Sequence, residues 1–153
     1  MTGVWVGIDP GDVRIGLAVS DAGGVLAVPL GTVQAGRDAL TAIAKEVSDR
    51  GAELVVVGLP RSMDGSESHA ATKARVFAVS LASVLTVPVR LVDERLTTVS
   101  ASRALHQAGR TSKQQREVID QVAAVQLLQG ALDQAQRVGA DVGELVSVAE
   151  GPS

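Results

Sequence analysis

After about residue 33, the hydrophobic pattern of this chain changes from strands alone to helical repeats separated by short apolar runs. That change limits the folds available to the chain. Three short runs near the N-terminus favour β-strands, because apolar side chains alternate along them or turn residues bound them. These runs are 4–9, 14–20 and 25–33. Turn signals separate them at Pro10-Gly11-Asp12 and Gly23-Gly24, and Pro29 favours an edge position for the third run. The sequence therefore opens with a predicted three-stranded antiparallel meander.

Helical repeats separated by short apolar runs follow the meander. Helical spacing is present in 40–47 and again in 70–85. A short apolar run follows each repeat, at 54–57 and at 87–92, as expected of strands that are buried on both faces. The chain thus passes from hairpins to alternating helices and strands.

Two more helices are predicted in the C-terminal part of the chain. The first begins after Thr97 or Thr98 and stops at Gly109, and the second begins with a capping box at Ser112 and runs to about Arg137. The order β-β-β-α-β-α-β-α-α predicts an α/β fold. Its mixed five-stranded sheet would contain three antiparallel strands followed by two parallel ones, with helices packed on the faces.

Length and composition fit one domain with a short tail. The chain has 153 residues, 46% of them hydrophobic, which is enough for a core without disulfides or a structural metal. We expect the domain to span residues 1–137 and an acidic, flexible tail to span 138–153. The absence of Cys excludes a disulfide framework, a thiolate zinc site and a cysteine nucleophile. No apolar run approaches the length of a membrane span, so we expect a cytoplasmic protein.

The charge of the chain is distributed unevenly. Residues 90–116 contain six basic and two acidic side chains, whereas residues 117–153 contain six acidic side chains and one basic. A basic segment beside an acidic one suits a polyanion accompanied by cations, although solvated helix faces give the same pattern. Trp5 and Phe77 are the only aromatic residues, so a protein that stacks bases on a row of rings is excluded.

Three acidic residues are predicted to meet at one edge of the sheet. Asp9 ends the first strand and Glu94 follows the last, and ligands of open α/β sheets gather at the carboxyl ends of parallel strands. Asp120 shares a helical face with small apolar residues, which should turn it towards the sheet. Each acid also has an ordinary explanation: Asp9 as a turn residue, Glu94 as a surface acid paired with Arg95 or Arg90, and Asp120 paired with Arg116.

Converging carboxylates repel one another and favour a hard divalent cation. Oxygen ligands with few histidines suit Mg²⁺ or Mn²⁺ rather than zinc. One or two such ions can align a water for attack on a phosphodiester. We therefore predict that Asp9, Glu94 and Asp120 are metal ligands and catalytic residues.

Basic residues near these acids are candidates for contact with nucleic acid. Arg14 and Arg95 are each close in sequence to a predicted metal ligand. Arg61 opens a polar loop that either clamps a substrate or simply connects two elements. Arg103 and Lys113 belong to the basic segment.

Four stretches of the chain, in this order, resemble the YqgF/RuvX family of ribonuclease H-like proteins. They are Gly7-Ile8-Asp9-Pro10-Gly11 with Arg14-Ile15-Gly16 and Ser20-Asp21; Val57-Gly58-Leu59-Pro60 with Met63-Asp64-Gly65; Asp93-Glu94-Arg95-Leu96-Thr97-Thr98; and Asp120-Gln121-Val122-Ala123-Ala124 with Leu127-Leu128-Gln129. The resemblance implies a ribonuclease H-like sheet and a Mg²⁺-dependent nuclease centre of Asp9, Glu94 and Asp120. It also implies a substrate that is either a four-way DNA (Holliday) junction or the 5′ end of precursor 16S rRNA.

The chain departs from resolvases of the RuvC type at one position. Those enzymes place an acid directly after the fourth strand, where this sequence has Gly58-Leu59-Pro60. The second carboxylate must then come from Glu94, one strand further away.

Two other classes of function remain possible at the level of sequence. The chain could be a binding module of the same fold that recognises nucleic acid or a ribosome-associated partner without cutting it. Its first turn also resembles the phosphate loop of actin-like ATPases, which normally need a second domain. Cleavage of a junction would favour a homodimer, because two strands need two sites, but the sequence is equally compatible with a monomer.

Overall fold

In the part of the chain that the structure describes, a mixed six-stranded sheet has helices on both faces. The computed structural model describes residues 3–60, 67–94, 112–138 and 142–147. The strands are β1 (Val4–Asp9), β2 (Arg14–Ser20), β3 (Ala27–Gln34), β4 (Ala52–Leu59), β5 (Val89–Asp93) and β6 (Glu144–Leu145), and the helices are α1 (Ala39–Asp49), α2 (His69–Val84) and α3 (Ser112–Val138). The helix predicted between Thr97 and Gly109 lies outside the described residues.

The strand order is β3-β2-β1-β4-β5-β6. Strands β1, β2 and β3 pair antiparallel, as the meander predicts, and β4 and β5 continue parallel to β1. The predicted mixed α/β sheet is therefore confirmed. Because β1 is flanked by β2 and β4, Asp9 at its end lies near the middle of the carboxyl edge.

The alternation along β1 divides the core into two layers. Val6 and Ile8 face α1 and α2, whereas Trp5 faces α3. Asp9 follows Trp5 and Gly7 in this alternation, so its side chain belongs to the α3 face. None of the helices in the described ranges combines the length and apolar character needed to cross a membrane.

Helix α3 lies unusually close to the strands because glycines face it. A Cβ at Gly7 would stand 2.7 Å from Leu128 Cβ, and a Cβ at Gly16 would stand 2.1 Å from the backbone oxygen of Asp120. Neither glycine has a positive φ, so close approach rather than backbone conformation requires them. Because these two glycines have no side chain, α3 packs directly on the strands, and its residue Asp120 lies at the end of the sheet.

A side-chain clamp holds the turn between β2 and β3 to the same helix. Gln129 accepts a hydrogen bond from the backbone N–H of Ala27 and donates one to the oxygen of Val25. Gln136, two turns further along α3, donates to the oxygen of Gly24. The meander and α3 therefore form one packed unit.

The sixth strand was not predicted, and it lies in the segment expected to be a tail. Strand β6 pairs antiparallel with β5, Val142 is fully buried, and Arg90 Nε donates to the oxygen of Val142 at 2.6 Å. Part of the segment expected to be a tail, residues 142–147, therefore lies against the sheet. Hydrophobic periodicity could not reveal a strand of two residues, whose stability comes from covering the edge of β5.

We expect Gly16→Ala to destabilise the protein by about 2–3 kcal/mol, because the new methyl group would collide with the backbone of α3. Urea unfolding followed by circular dichroism measures this loss. Gly23→Ala is the control, since Gly23 is exposed in the β2–β3 turn and a Cβ there meets only a flexible side chain. Equal stability of the two variants would contradict the close packing of α3 on β2.

Candidate active site

The carboxyl groups of Asp9 and Glu94 meet at the carboxyl edge of the sheet. Asp9 ends β1 and Glu94 directly follows β5, and the two side chains form a hydrogen bond across the end of β4. Alternation along β5 turns Glu94 to the face of Val92, which packs with α3, and Asp93 to the face of Leu91. Glu94 rather than Asp93 therefore shares a face with Asp9.

Gly58 makes this meeting possible. A Cβ built on Gly58 would stand 3.0 Å from Glu94 Oε1 and 3.2 Å from its Cγ, and 3.3 Å from a methyl carbon of Leu127. The side chain of Glu94 thus occupies the space above β4 that any larger residue at position 58 would fill. The segment that lacks the acid of the RuvC pattern therefore contains the glycine that lets the side chain of Glu94 reach Asp9.

Asp120 is the third acid at this edge, and Arg14 holds it. Arg14 begins β2, and its Nε donates to Asp120 Oδ2 at 3.1 Å. The side chains are 16% and 26% exposed, so water screens this ion pair less than a surface pair. The alternative partner, Arg116, has its side chain outside the described residues.

Burial and charge raise the pKa of Asp9 to about 8. Loss of solvation is the largest cause, followed by the hydrogen bond with Glu94 and by repulsion from Glu94 and Asp120. In the absence of a cation, the raised pKa keeps Asp9 protonated at neutral pH, and this proton forms the hydrogen bond to Glu94. Repulsion from Asp120 also shows that all three acids lie within electrostatic range.

The donor set fits a hard divalent cation, although the three acids are not arranged as a finished site. In the described ranges, no group of three or more His, Cys, Asp or Glu side chains is placed so that it could hold a metal ion. Asp9 and Glu94 nevertheless present two carboxyl groups in contact, where a cation would take the place of the proton of Asp9. Asp120 lies beside them but is engaged by Arg14.

Arg14 is the one predicted nucleic-acid contact whose side chain lies within the described part of the structure. Arg61, Arg95 and Arg103 lie outside the described residues, and so does the side chain of Lys113 in α3. Arg14 is placed, and its partner is a carboxylate of the site. An arginine has five N–H donors, so pairing through Nε does not by itself preclude contact with a phosphate.

Sequence reasoning missed the glycines that let the acids approach one another. Gly58 and Gly16 carry no chemistry, but a Cβ at either would displace Glu94 or the backbone of Asp120. The signal for Gly58 is that it lies near the end of β4, between β1, which ends in Asp9, and β5, which Glu94 follows. That signal is visible only once the strand order is known.

The raised pKa of Asp9 makes the stability of the protein depend on pH in a metal-free buffer. Between the ordinary carboxyl pKa of 3.8 and about 8, folded Asp9 holds a proton that the unfolded chain releases. The free energy of unfolding should therefore fall as pH rises across this range, by up to about 1.4 kcal/mol per pH unit. Asp9→Asn should lack this contribution. Urea unfolding with EDTA at several pH values measures how the free energy of unfolding changes with pH in the wild-type protein and in the variant. The same pH dependence in both would contradict the raised pKa of Asp9.

A family model described as "Holliday junction resolvase", RuvX, matches residues 3–134 of this chain. Three relatives share the name "Putative pre-16S rRNA nuclease". The protein of Nocardioides sp. is 53% identical over 150 residues, covering 94% of this chain and 96% of its own. Kineococcus radiotolerans has one that is 52% identical (97% and 81% covered), and Thermobifida fusca one that is 48% identical (95% and 96% covered).

The chain is also similar to a solved structure, T. thermophilus RuvC in complex with a Holliday junction substrate. The TM-score is 0.57 at 16% identity, with 94% of this chain and 99% of that chain covered. A likeness at this identity concerns the fold alone, and it confirms the expected ribonuclease H-like class. The family model spans nearly all the described residues and the relatives are about half identical over almost their full lengths, so this chain belongs to the RuvX family.

Proposed function

We propose that this protein is a Mg²⁺-dependent nuclease that hydrolyses phosphodiester bonds in structured nucleic acid. The observation that carries the proposal is the contact between the carboxyl groups of Asp9 and Glu94 at the carboxyl edge of the sheet. A partly buried Asp9 in contact with Glu94 is unfavourable for folding alone, so a role in function explains this placement better than a structural one.

Asp9, Glu94 and Asp120 would hold the cation. Bound Mg²⁺ would neutralise these acids and supply positive charge at the scissile phosphate. Asp9 would lose its proton when the cation binds, and Asp120 would complete the acidic centre. Mn²⁺ has similar ligand preferences and should substitute.

Arg14 would act on this centre as a positioning residue. It orients Asp120 through its Nε, and it starts β2 at the same edge of the sheet where substrate would lie. Contact with a substrate phosphate would come from Arg14 and from Arg61, Arg95, Arg103 and Lys113, because arginine and lysine bind phosphate without reading sequence.

The 5′ end of precursor 16S rRNA is the substrate that we favour. The relatives named for that activity are 48–53% identical over at least 94% of this chain, whereas the RuvC likeness is 16% identical. Resolution of a four-way DNA junction is the second candidate, favoured by the description of the matched family model. The protein would act in the cytoplasm, as a monomer on RNA or as a homodimer on a junction.

Asp9→Asn should lower the cleavage rate by about 10²–10³-fold, because it removes one charged ligand from the centre. The assay compares a precursor 16S rRNA fragment with a synthetic four-way junction, each with Mg²⁺, Mn²⁺ or EDTA. Asp49→Asn is the matched control, since Asp49 is an exposed carboxylate at the end of α1 and pairs with Lys45. Full activity of the Asp9 variant would refute the nuclease centre.

A binding module of the same fold would behave differently in that assay. It would retain both substrates without cutting either, and its affinity would survive the loss of all three acids. Such a result would replace the proposed function with recognition alone.

Gly58→Ala tests the route by which Glu94 reaches Asp9. The new methyl group would press on Glu94 at 3.0 Å, so we expect the cleavage rate to fall about tenfold and the Mg²⁺ requirement to rise. Stability should change by less than about 1 kcal/mol, because alanine is intrinsically favoured over glycine in a strand. Rates at several Mg²⁺ concentrations and a urea titration measure both effects. Unchanged kinetics would mean that Glu94 is not held by the space above Gly58.

A further inference from the structure

A cavity of about 520 Å³ lies beside the acidic centre, on the other face of the sheet. It is lined by the turn after β1, the segment after β3, the first turn of α1 and the part of α2 from His69 to Ser80. Its volume falls within the range of roughly 300–1,000 Å³ that small-molecule sites occupy. None of the acids of the proposed centre lines it.

The cavity borders the edge of the sheet where cleavage would occur. Pro10, which is bonded to Asp9, and Pro60, which follows the end of β4, both line it. A strand whose phosphate reaches Asp9 would therefore pass this cavity within one or two nucleotides.

The lining combines an apolar floor with a charged rim. Ile15, Leu40 and Phe77 supply the floor and belong to or pack on the α1–α2 core layer. Asp12 and Lys73 lie at the rim and form an ion pair of 3.0 Å. An apolar floor with few polar groups suits a flat, partly apolar ligand that carries hydrogen-bonding groups and a negative charge.

The ion pair at the rim is easily rearranged. The side chains of Lys73 and Asp12 are 56% and 82% exposed, and exposed pairs add little to stability. Lys73 is thus available to a phosphate, and the carboxylate of Asp12 to an amino group of a base, at little cost to the fold.

We propose that this cavity receives one unpaired nucleotide of the substrate strand, next to the scissile phosphate. The base would lie on the apolar floor against Phe77, and its phosphate would contact Lys73. One pocket with one aromatic ring holds one base, which agrees with the scarcity of aromatic residues in this chain. This proposal rests on the proposed function and specifies its substrate as a helix with an extrahelical nucleotide at the cleavage position.

Ala70→Phe is a suitable test because Ala70 lines the cavity and is exposed in the first turn of α2, so a large side chain there blocks the cavity without entering the core. Val76→Phe is the matched control, since Val76 is 60% exposed on the same helix and does not line the cavity. The probes are RNA and DNA hairpins with and without one unpaired adenosine. Binding is measured by fluorescence anisotropy with EDTA at one salt concentration, which prevents cleavage.

The wild-type protein and Val76→Phe should bind the hairpin with the unpaired adenosine about tenfold more tightly than the paired hairpin. Ala70→Phe should lose that preference and keep its affinity for the paired hairpin. Lys73→Gln, at an exposed position, should weaken binding of the unpaired adenosine several-fold and provides a second variant if the first fails to fold.

No preference in the wild-type protein, or an unchanged preference in Ala70→Phe, would overturn the proposal. Adenosine monophosphate serves as a separate probe: if it shifts the amide signals of Gly11 and Ala70 while Ala70→Phe leaves hairpin binding unchanged, the cavity is a free-nucleotide site and the proposal also fails. Because binding is measured without metal, it is independent of cleavage by the acidic centre. Failure of this inference is therefore distinguishable from failure of the proposed nuclease function.

Discussion

The repulsion between two carboxylates at the end of the sheet is the constraint to which the rest of this structure responds. Asp9 and Glu94 are brought into contact in a position with little water, where two negative charges are strongly unfavourable. A proton relieves this repulsion in the free protein, and a divalent cation would relieve it more completely. The sheet tolerates the arrangement because the neighbouring strand segments are buried and rigid: Val55, Val56 and Val57 are fully buried in the middle of the parallel strands. Stability supplied there holds the unfavourable pair in place.

Glycines, which have no side chain, determine how closely the parts of the site approach one another. Gly16 allows the backbone of Asp120 to rest on β2, and Gly58 leaves the space that Glu94 crosses. The ion pair of Arg14 with Asp120 then links β2 to α3 at the same point. Packing and electrostatics are therefore coupled, because the helix that contributes the third acid can reach the edge only where the strands carry no side chain. Asp120, which comes from a helix, and Glu94, which crosses β4, therefore both depend on a glycine without a side chain in the strand beneath them.

Local patterns were sufficient for most of the described elements and for the faces on which Asp9 and Asp120 lie, but not for the contacts between the elements. Alternation in β1 and helical spacing in α3 placed Asp9 and Asp120 on facing surfaces, since each signal lies within one element. The contact that brings Glu94 to Asp9 depends on the exact end of β5 and on its register with β4, which pairs Leu59 with Asp93. The partner of Asp120 proved to be Arg14, 106 residues away, and no short-range rule could identify it. Strand β6 escaped notice for the same reason, because pairing with the edge of β5 rather than its own composition forms it.

In the proposed function, the two faces of the sheet would divide substrate recognition from cleavage. The acids lie on the α3 face, which small residues and glycines leave open to a close approach, while the cavity lies on the face covered by α1 and α2. One turn, Pro10-Gly11-Asp12, belongs to both, because it follows Asp9 directly and forms part of the cavity wall. A nucleotide seated on one face would therefore fix the position of the neighbouring phosphate on the other through a few bonds of backbone. Such an arrangement would let an enzyme with almost no aromatic surface select a structured substrate by one extruded base and by backbone charge.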